Sequence, residues 1–186
     1  MGLEGAKKVS AVVDGEYTLL YPGVLPGVDL RYTVTSVGFK EEAIILDNKA
    51  QRELTFEISS PALTMQVVPE SKRVLVKDAS GVAVFELNRP VMWDAKGIHS
   101  DDISVQVLAG KQQGDWLVKY TPSDSYMDDP RITYPVVVDP SICIVGQHPQ
   151  MQETGRPETP SESCRLGTNP GATVKERSTT GSSPAC

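Results

Sequence analysis

Hydrophobic and polar residues alternate through most of the first three-quarters of the chain. Val28-Asp29-Leu30-Arg31-Tyr32-Thr33-Val34-Thr35 places an apolar side chain at every second position, the period of a strand with one buried and one wetted face. The same period runs through 54–58, 63–67, 103–107 and 116–120 and predicts a strand at each. Segment 74–77, the four residues Asp78-Ala79-Ser80-Gly81 and segment 82–87 read as a hairpin, because Asp bonds its own backbone in a reversal and Gly accepts positive φ. Segments 17–21, 42–46 and 135–138 add three more strands. The near-continuous apolar run at 42–46 fits an interior strand or a short helix, and β-branched Ile44 and Ile45 favour the strand. Turn residues recur at short intervals (Pro22-Gly23, Pro26-Gly27, Asp47-Asn48, Ser60-Pro61, Ala95-Lys96-Gly97), and only one short helical turn is expected, near 123–127. The expected fold is all-β and mostly antiparallel, about eight to ten strands in a β-sandwich or two packed sheets.

The pattern stops near residue 140. Residues 141–186 hold no aromatic residue, and Gly, Pro, Ser and Thr fill nearly half of the positions. Such a segment buries too little apolar surface to offset the entropy of ordering its backbone. The reading is a β-sandwich-like domain over 1–140 and a flexible, disordered C-terminal tail over 141–186. Cys143, Cys164 and Cys186 all fall in that tail. Their odd number and wide spacing exclude a CxxC-type zinc site, and no disulfide pairing can be chosen among them.

Composition narrows the function. Twenty-four Asp and Glu against 18 Lys and Arg give a net charge of −6 and a pI near 5.0. That balance argues against binding nucleic acid, whose phosphates demand a basic surface. No apolar run approaches the roughly 18 residues of a membrane span, and the first residues lack a signal-peptide stretch.

Candidate chemistry is sparse. There is no P-loop, Gly-x-Gly-x-x-Gly, His-Glu-x-x-His or Gly-x-Ser-x-Gly motif, so no cofactor is expected and the protein is read as not an enzyme. His99 sits in a polar turn and is read as an exposed residue. Glu41-Glu42 lie next to each other on a strand and point to opposite faces, so they do not form a glycosidase pair. Asp101-Asp102 and Asp128-Asp129 are read as turn caps rather than calcium ligands, since no Asp-x-Asp-x-Asp-Gly run accompanies them. Trp116 shares a face with Val118 and Tyr120 and belongs in the core. Trp93 ends an apolar run just before a turn and is the more exposed of the two. Trp93 with Tyr126 is the candidate ligand-binding platform, one on which sugar rings would stack.

Four phrases stand in a distinctive order: YPGVLPGVDLRY at 21–32, GFKEEAII at 38–45, PVMWDAKG at 90–97 and DDPRITYPVVVDPS at 128–141. Their order and spacing resemble the β-rich region that precedes the repeats of large bacterial Rhs/YD-repeat proteins of the polymorphic-toxin type, many carrying a DNRLRE module. The resemblance spans about residues 15–141. It implies a secreted or cell-wall location and a non-catalytic structural or assembly role, with neighbouring modules of a larger parent as partners. It assigns no catalytic residue. In physical terms, Pro26-Gly27 turns the chain into a strand whose Leu30, Tyr32 and Val34 anchor the inner face, and Asp139-Pro140 ends the last strand and marks the module boundary. Beyond Ser141 the expected further module gives way to the tail, so the chain reads as a fragment or a truncated open reading frame, for which a frame change near Ile142 is one origin. The alternative reading is a carbohydrate-binding β-sandwich directed at the cell wall.

Overall fold

The computed structural model describes residues 2–36 and 38–144. Its strands are β1 (Gly2–Leu3), β2 (Val12–Gly15), β3 (Thr18–Leu25), β4 (Val28–Thr35), β5 (Gly38–Ile45), β6 (Leu54–Ser59), β7 (Thr64–Val68) and β8 (Arg73–Lys77). There follow β9 (Ala83–Leu87), β10 (Val91–Trp93), β11 (His99–Ser100), β12 (Ile103–Ala109), β13 (Asp115–Pro122), the single helical turn α1 (Asp124–Met127), β14 (Val136–Asp139) and β15 (Ile142–Ile144). The all-β expectation holds, and every strand predicted from alternation is present. The strand segments outnumber the eight to ten expected because two-residue bridges such as β1 and β11 carry no readable period. Pro140 also splits one longer strand into β14 and β15.

Two hydrogen-bonded networks form. A four-stranded sheet runs β1-β6-β13-β12, and a larger sheet runs β11-β10-β14-β5-β15-β9-β8-β7, with β4, β3 and β2 added on the other side of β5. Their facing side chains make one core. Leu54, Phe56, Val118, Tyr120 and Ile103 come from the smaller sheet; Val28, Leu30, Ala43, Ile45, Met92, Val136 and Val138 come from the larger. Alternation dictates this assignment: Tyr120 pairs with Leu54 and Val118 with Phe56, and Val28, Ile45 and Val136 line up across three strands. Phe56 and Tyr120 meet edge to face with ring centroids 5.9 Å apart, the arrangement aromatic quadrupoles favour. Trp116, expected in the core, is only half-buried at its rim, where its indole N–H donates to the Leu63 carbonyl just before β7 (3.2 Å).

β5 is the interior strand that its Ile44-Ile45 pair predicted, flanked by β4 on one side and by β14 and β15 on the other. The chain does not leave the sheet at Pro140. Val138 stands opposite Ala43 and Ile142 opposite Phe39, so β14 and β15 are one strand in unbroken register and Pro140 falls opposite Glu41. The missing proline N–H interrupts the ladder for one position only. The Ser141 N–H turns back to Asp139 Oδ1 (3.0 Å), and the Asn88 N–H donates to the Ser141 carbonyl (2.9 Å) and rejoins β9. The β pattern thus reaches Ile144, past the boundary expected at 140. Cys143 lies in β15. The rest of the expected tail, from residue 145 and including Cys164 and Cys186, lies outside the described residues.

Turn chemistry is largely as read. Asp78 Oδ1 accepts from the Ser80 and Val82 N–H groups (2.9 and 3.0 Å) in the β8–β9 hairpin. Pro26-Gly27 joins β3 to β4 with Gly27 at φ +71°, which suits a type II reversal. A Cβ at Gly27 would meet the Ala50 Cβ at 2.6 Å, so the residue is needed for space as well as for its backbone angle. One inner-face expectation fails. Leu30 is buried and Tyr32 half-buried, but Val34 is 64% exposed. Its strand keeps alternating, yet its neighbours at that end, Tyr17 and Leu19 on β3 and the loop before it, are themselves exposed (63% and 39%), so no second layer covers the row.

Phe56→Ala removes an aromatic side chain from the fully buried centre and is expected to cost about 3–5 kcal/mol, whereas Val34→Ala stays within about 0.5 kcal/mol. Urea unfolding followed by tryptophan fluorescence checks both, and similar losses at the two positions would contradict the burial pattern.

Candidate functional site

A connected set of charged groups spreads across the outer face of the larger sheet. Pleating puts Arg31, Lys40, Glu42 and Asp139 on that face, and cross-strand register brings Arg31 directly opposite Glu42. Arg31 Nε donates to Glu42 Oε2 (2.6 Å) and Lys40 Nζ to Glu42 Oε1 (2.6 Å). Arg31 reaches on to Asp14 (3.8 Å), and Lys40 to Asp139 (3.5 Å). The ladder therefore crosses β2, β4, β5 and β14. Lys40 Nζ also lies 5.1 Å from the centroid of the Trp93 ring on β10, within reach of a cation–π attraction. Burial pushes the Glu42 carboxyl up, but the hydrogen bonds and charges of Arg31 and Lys40 outweigh it and hold the group below the ordinary carboxylate range.

Glu41, one residue away, experiences the reverse. It points inward and is fully buried, and neither carboxylate oxygen has a hydrogen-bond partner among the described residues. Burial drives its pKa up to about 7; the neighbouring Tyr32 hydroxyl opposes the shift. The two carboxyl groups occupy opposite faces, as the pleat required.

A polar cleft of about 310 Å³ opens where β11, α1 and the segment before β14 meet, lined by His99, Asp102, Ser123, Ser125, Tyr126 and Arg131 among others. That volume is at the small end of the range for ligand pockets, about 300–1,000 Å³. Ser125 Oγ bonds Ser123 Oγ (3.1 Å) and, at a long 3.4 Å, Asp102 Oδ2. His99 is exposed, as expected, and lies against Trp93 with ring centroids 5.9 Å apart. No serine of the cleft bonds to it among the described residues, so the triad geometry of a nucleophile held by a base is missing. Arg131 clamps Asp129 (2.6 Å), whose carboxyl falls to about 2, chiefly through the Arg131 guanidinium and then its backbone N–H. Two carboxylates expected as turn caps also carry ion pairs, Asp101 with Arg89 and Asp128 with Arg52 (2.5 Å), and Arg52 pairs as well with Asp124 (3.0 Å). Among the described residues no three His, Cys, Asp or Glu side chains gather as a metal site.

Trp93 and Tyr126 do not make a shared open platform. The Tyr126 ring is 8% exposed, and its hydroxyl donates to the Ile98 carbonyl (2.6 Å). α1 presses the ring into the protein, where it floors the cleft instead of facing solvent. Trp93 is half-buried and engaged by Lys40 and His99. Sequence reasoning missed the ladder and Asp94. Asp94 accepts the Lys96, Ile98 and Thr133 N–H groups (2.9, 2.8 and 2.9 Å) and ties the β10–β11 turn to the segment before β14. The readable signal for the ladder was Lys40-Glu41-Glu42 inside an interior strand, where charge persists only with partners.

Comparison with known proteins places the chain. It is 25% identical over 131 residues, 66% of its length, to the tRNA nuclease WapA of Bacillus subtilis (strain 168) and to the tRNA3(Ser)-specific nuclease WapA of Bacillus spizizenii. The tRNA(Glu)-specific nuclease WapA of Bacillus subtilis subsp. natto is similar to the same degree. The chain spans 5% of the length of these relatives. No family model matches, and no solved structure matches. These findings correct the resemblance to Rhs/YD-repeat, DNRLRE-bearing proteins: nothing among them shows an Rhs repeat, and phrases rich in Pro, Gly and Tyr specify turns and strand ends shared by many β-modules. Nucleases are enzymes, so the relatives also correct the expectation of a protein without enzymatic activity. Among the described residues no helix is long and apolar enough to cross a membrane.

Arg31→Ala leaves the buried Glu42 carboxylate with Lys40 alone. The expected loss is about 1–3 kcal/mol at pH 7, below that of a fully buried pair because Arg31 is 31% exposed. The stability held by the lowered Glu42 pKa is present above the ordinary carboxylate value and lost as pH falls through the lowered one. The difference between the proteins should therefore shrink below about pH 4; urea titrations at stepped pH read it, and a gap independent of pH would refute the pairing.

Proposed function

We propose that this chain is a β-structured module of a protein of the tRNA-nuclease kind found in its relatives, and that the module supports neighbouring parts of the same polypeptide. The carrying observation is the similarity over 131 residues to three tRNA nucleases of which the chain spans only 5%. Cleavage of tRNA is then an activity of the whole protein. The acidic balance of this segment speaks only of its own surface. Two features suit a supporting role: one core shared by two sheets, and charged side chains on the outer face that are largely spent on one another. A protein that destroys tRNA endangers the cell that makes it, which favours action at or beyond the cell wall.

A glycan-binding role for Trp93 and Tyr126 is the weaker reading, because Lys40 and His99 already engage the Trp93 ring and the Tyr126 ring is buried.

The test compares a longer polypeptide of this type with and without the segment corresponding to residues 2–144. Removal should lower the yield of protease-resistant, tRNA-cleaving protein several-fold. Undiminished yield and cleavage would overturn the supporting role.

A further inference from the structure

Glu41 is a poorly compensated acid inside the core. It is fully buried at the contact between the two sheets, and among the described residues neither oxygen makes a hydrogen bond of good geometry, although the Tyr32 hydroxyl is close enough to favour its charged form. Every neighbouring element withholds a cation. From β13 on the facing sheet comes Tyr120, fully buried, its own hydroxyl without a partner among the described residues. From β4 comes the Tyr32 hydroxyl, with Tyr21 of β3 behind it, ring centroids 5.9 Å apart. From β14 comes Asp139, a like charge, and the position directly opposite is Pro140, which has no N–H to offer. The positive amino terminus of the chain favours the ionised form, ranking behind burial and the Tyr32 hydroxyl but ahead of the repulsion from Asp139. Arg31 and Lys40, the nearest cationic side chains by sequence and register, lie on the outer side of the pleat and are committed to Glu42. An ionised carboxylate here would be desolvated with no cationic side chain beside it, favoured only by the Tyr32 hydroxyl and the charge of the amino terminus, whereas a protonated one loses little and can share its proton with a tyrosine hydroxyl.

We propose that Glu41 is a proton-controlled latch between the two sheets: they close fully on its neutral carboxylic acid, and its ionisation loosens their contact. The sign follows from linkage. The folded chain holds the Glu41 proton more tightly than the unfolded chain does, so stability falls as pH rises from the ordinary value of 4.5 to the folded value of about 7, and changes no further above it. Asp139 is also raised, first by burial, and adds a contribution of the same sign. Glu42 is lowered and acts only below the ordinary value, with the opposite sign. The Glu41 window is thereby separated from that of Glu42.

The test is urea unfolding of the chain at stepped pH between 4.5 and 8, for the natural protein and Glu41→Gln. The unfolding constant of the natural protein should rise on the order of 100-fold across the window. The Gln variant should lose most of that rise, keep the smaller Asp139 part, and be the more stable of the two at pH 8. Amide exchange in β5 and β13, corrected for intrinsic pH dependence, should quicken toward pH 8 in the natural protein alone. A rise of the same size in both proteins would overturn the latch, as would no rise in either. Should Glu41→Gln not fold, infrared spectroscopy of the natural protein decides: a protonated-carboxyl carbonyl band at pH 6 that vanishes by pH 8 supports the latch, and its absence at pH 6 refutes it.

Discussion

The pleat of β5 is the constraint on which the rest of the molecule turns. Successive side chains of a strand leave on opposite faces, so Lys40-Glu41-Glu42 cannot solvate its charges together. Glu42 goes outward to Arg31 and Lys40 and remains a carboxylate. Glu41 goes inward to the tyrosines and tends to keep its proton. Two identical side chains separated by one peptide bond thus acquire opposite electrostatic characters, one from charge pairing and one from desolvation. An interior strand exposes neither group to water, so each is governed by its immediate neighbours.

Strand continuity supplies those neighbours. β14 and β15 keep one register past Pro140, which brings Asp139 to Lys40 on the outer face and a residue without an N–H opposite Glu41. The cost of the proline is contained because Ser141 and Asn88 carry the backbone bonds around it. At the other end of the sheet burial fails: all of β2 is exposed, and so are Tyr17 in the turn before β3 and Val34 near the end of β4.

The fold was legible where a strand has one wet face. Segments such as Ile103 to Val107 and Trp116 to Tyr120 declare themselves by period two, and Asp78 to Gly81 by turn chemistry. Two-residue bridges have no period to read, and a proline within a strand looks like an ending when pairing partners are unknown. The outer ladder was half legible. Adjacent glutamates on one strand had to diverge, but only register reveals that Arg31 stands opposite Glu42 and that Lys40 reaches Trp93. Trp93 and Tyr126 were singled out for aromatic character alone, and sequence does not say that α1 buries the second while a lysine engages the first. The relatives add what no local pattern holds, namely that a segment of this kind occurs within much longer tRNA nucleases.

The most direct measurement is a carboxyl-carbon NMR titration that resolves Glu41 and Glu42 in the same folded sample. Opposite environments on the two faces of β5 require Glu41 to titrate near 7 and Glu42 below the ordinary value of 4.5. Two curves that coincide near the ordinary value would mean that the pleat does not separate them, and both the buried contact between the sheets and the outer charge ladder would then be wrong.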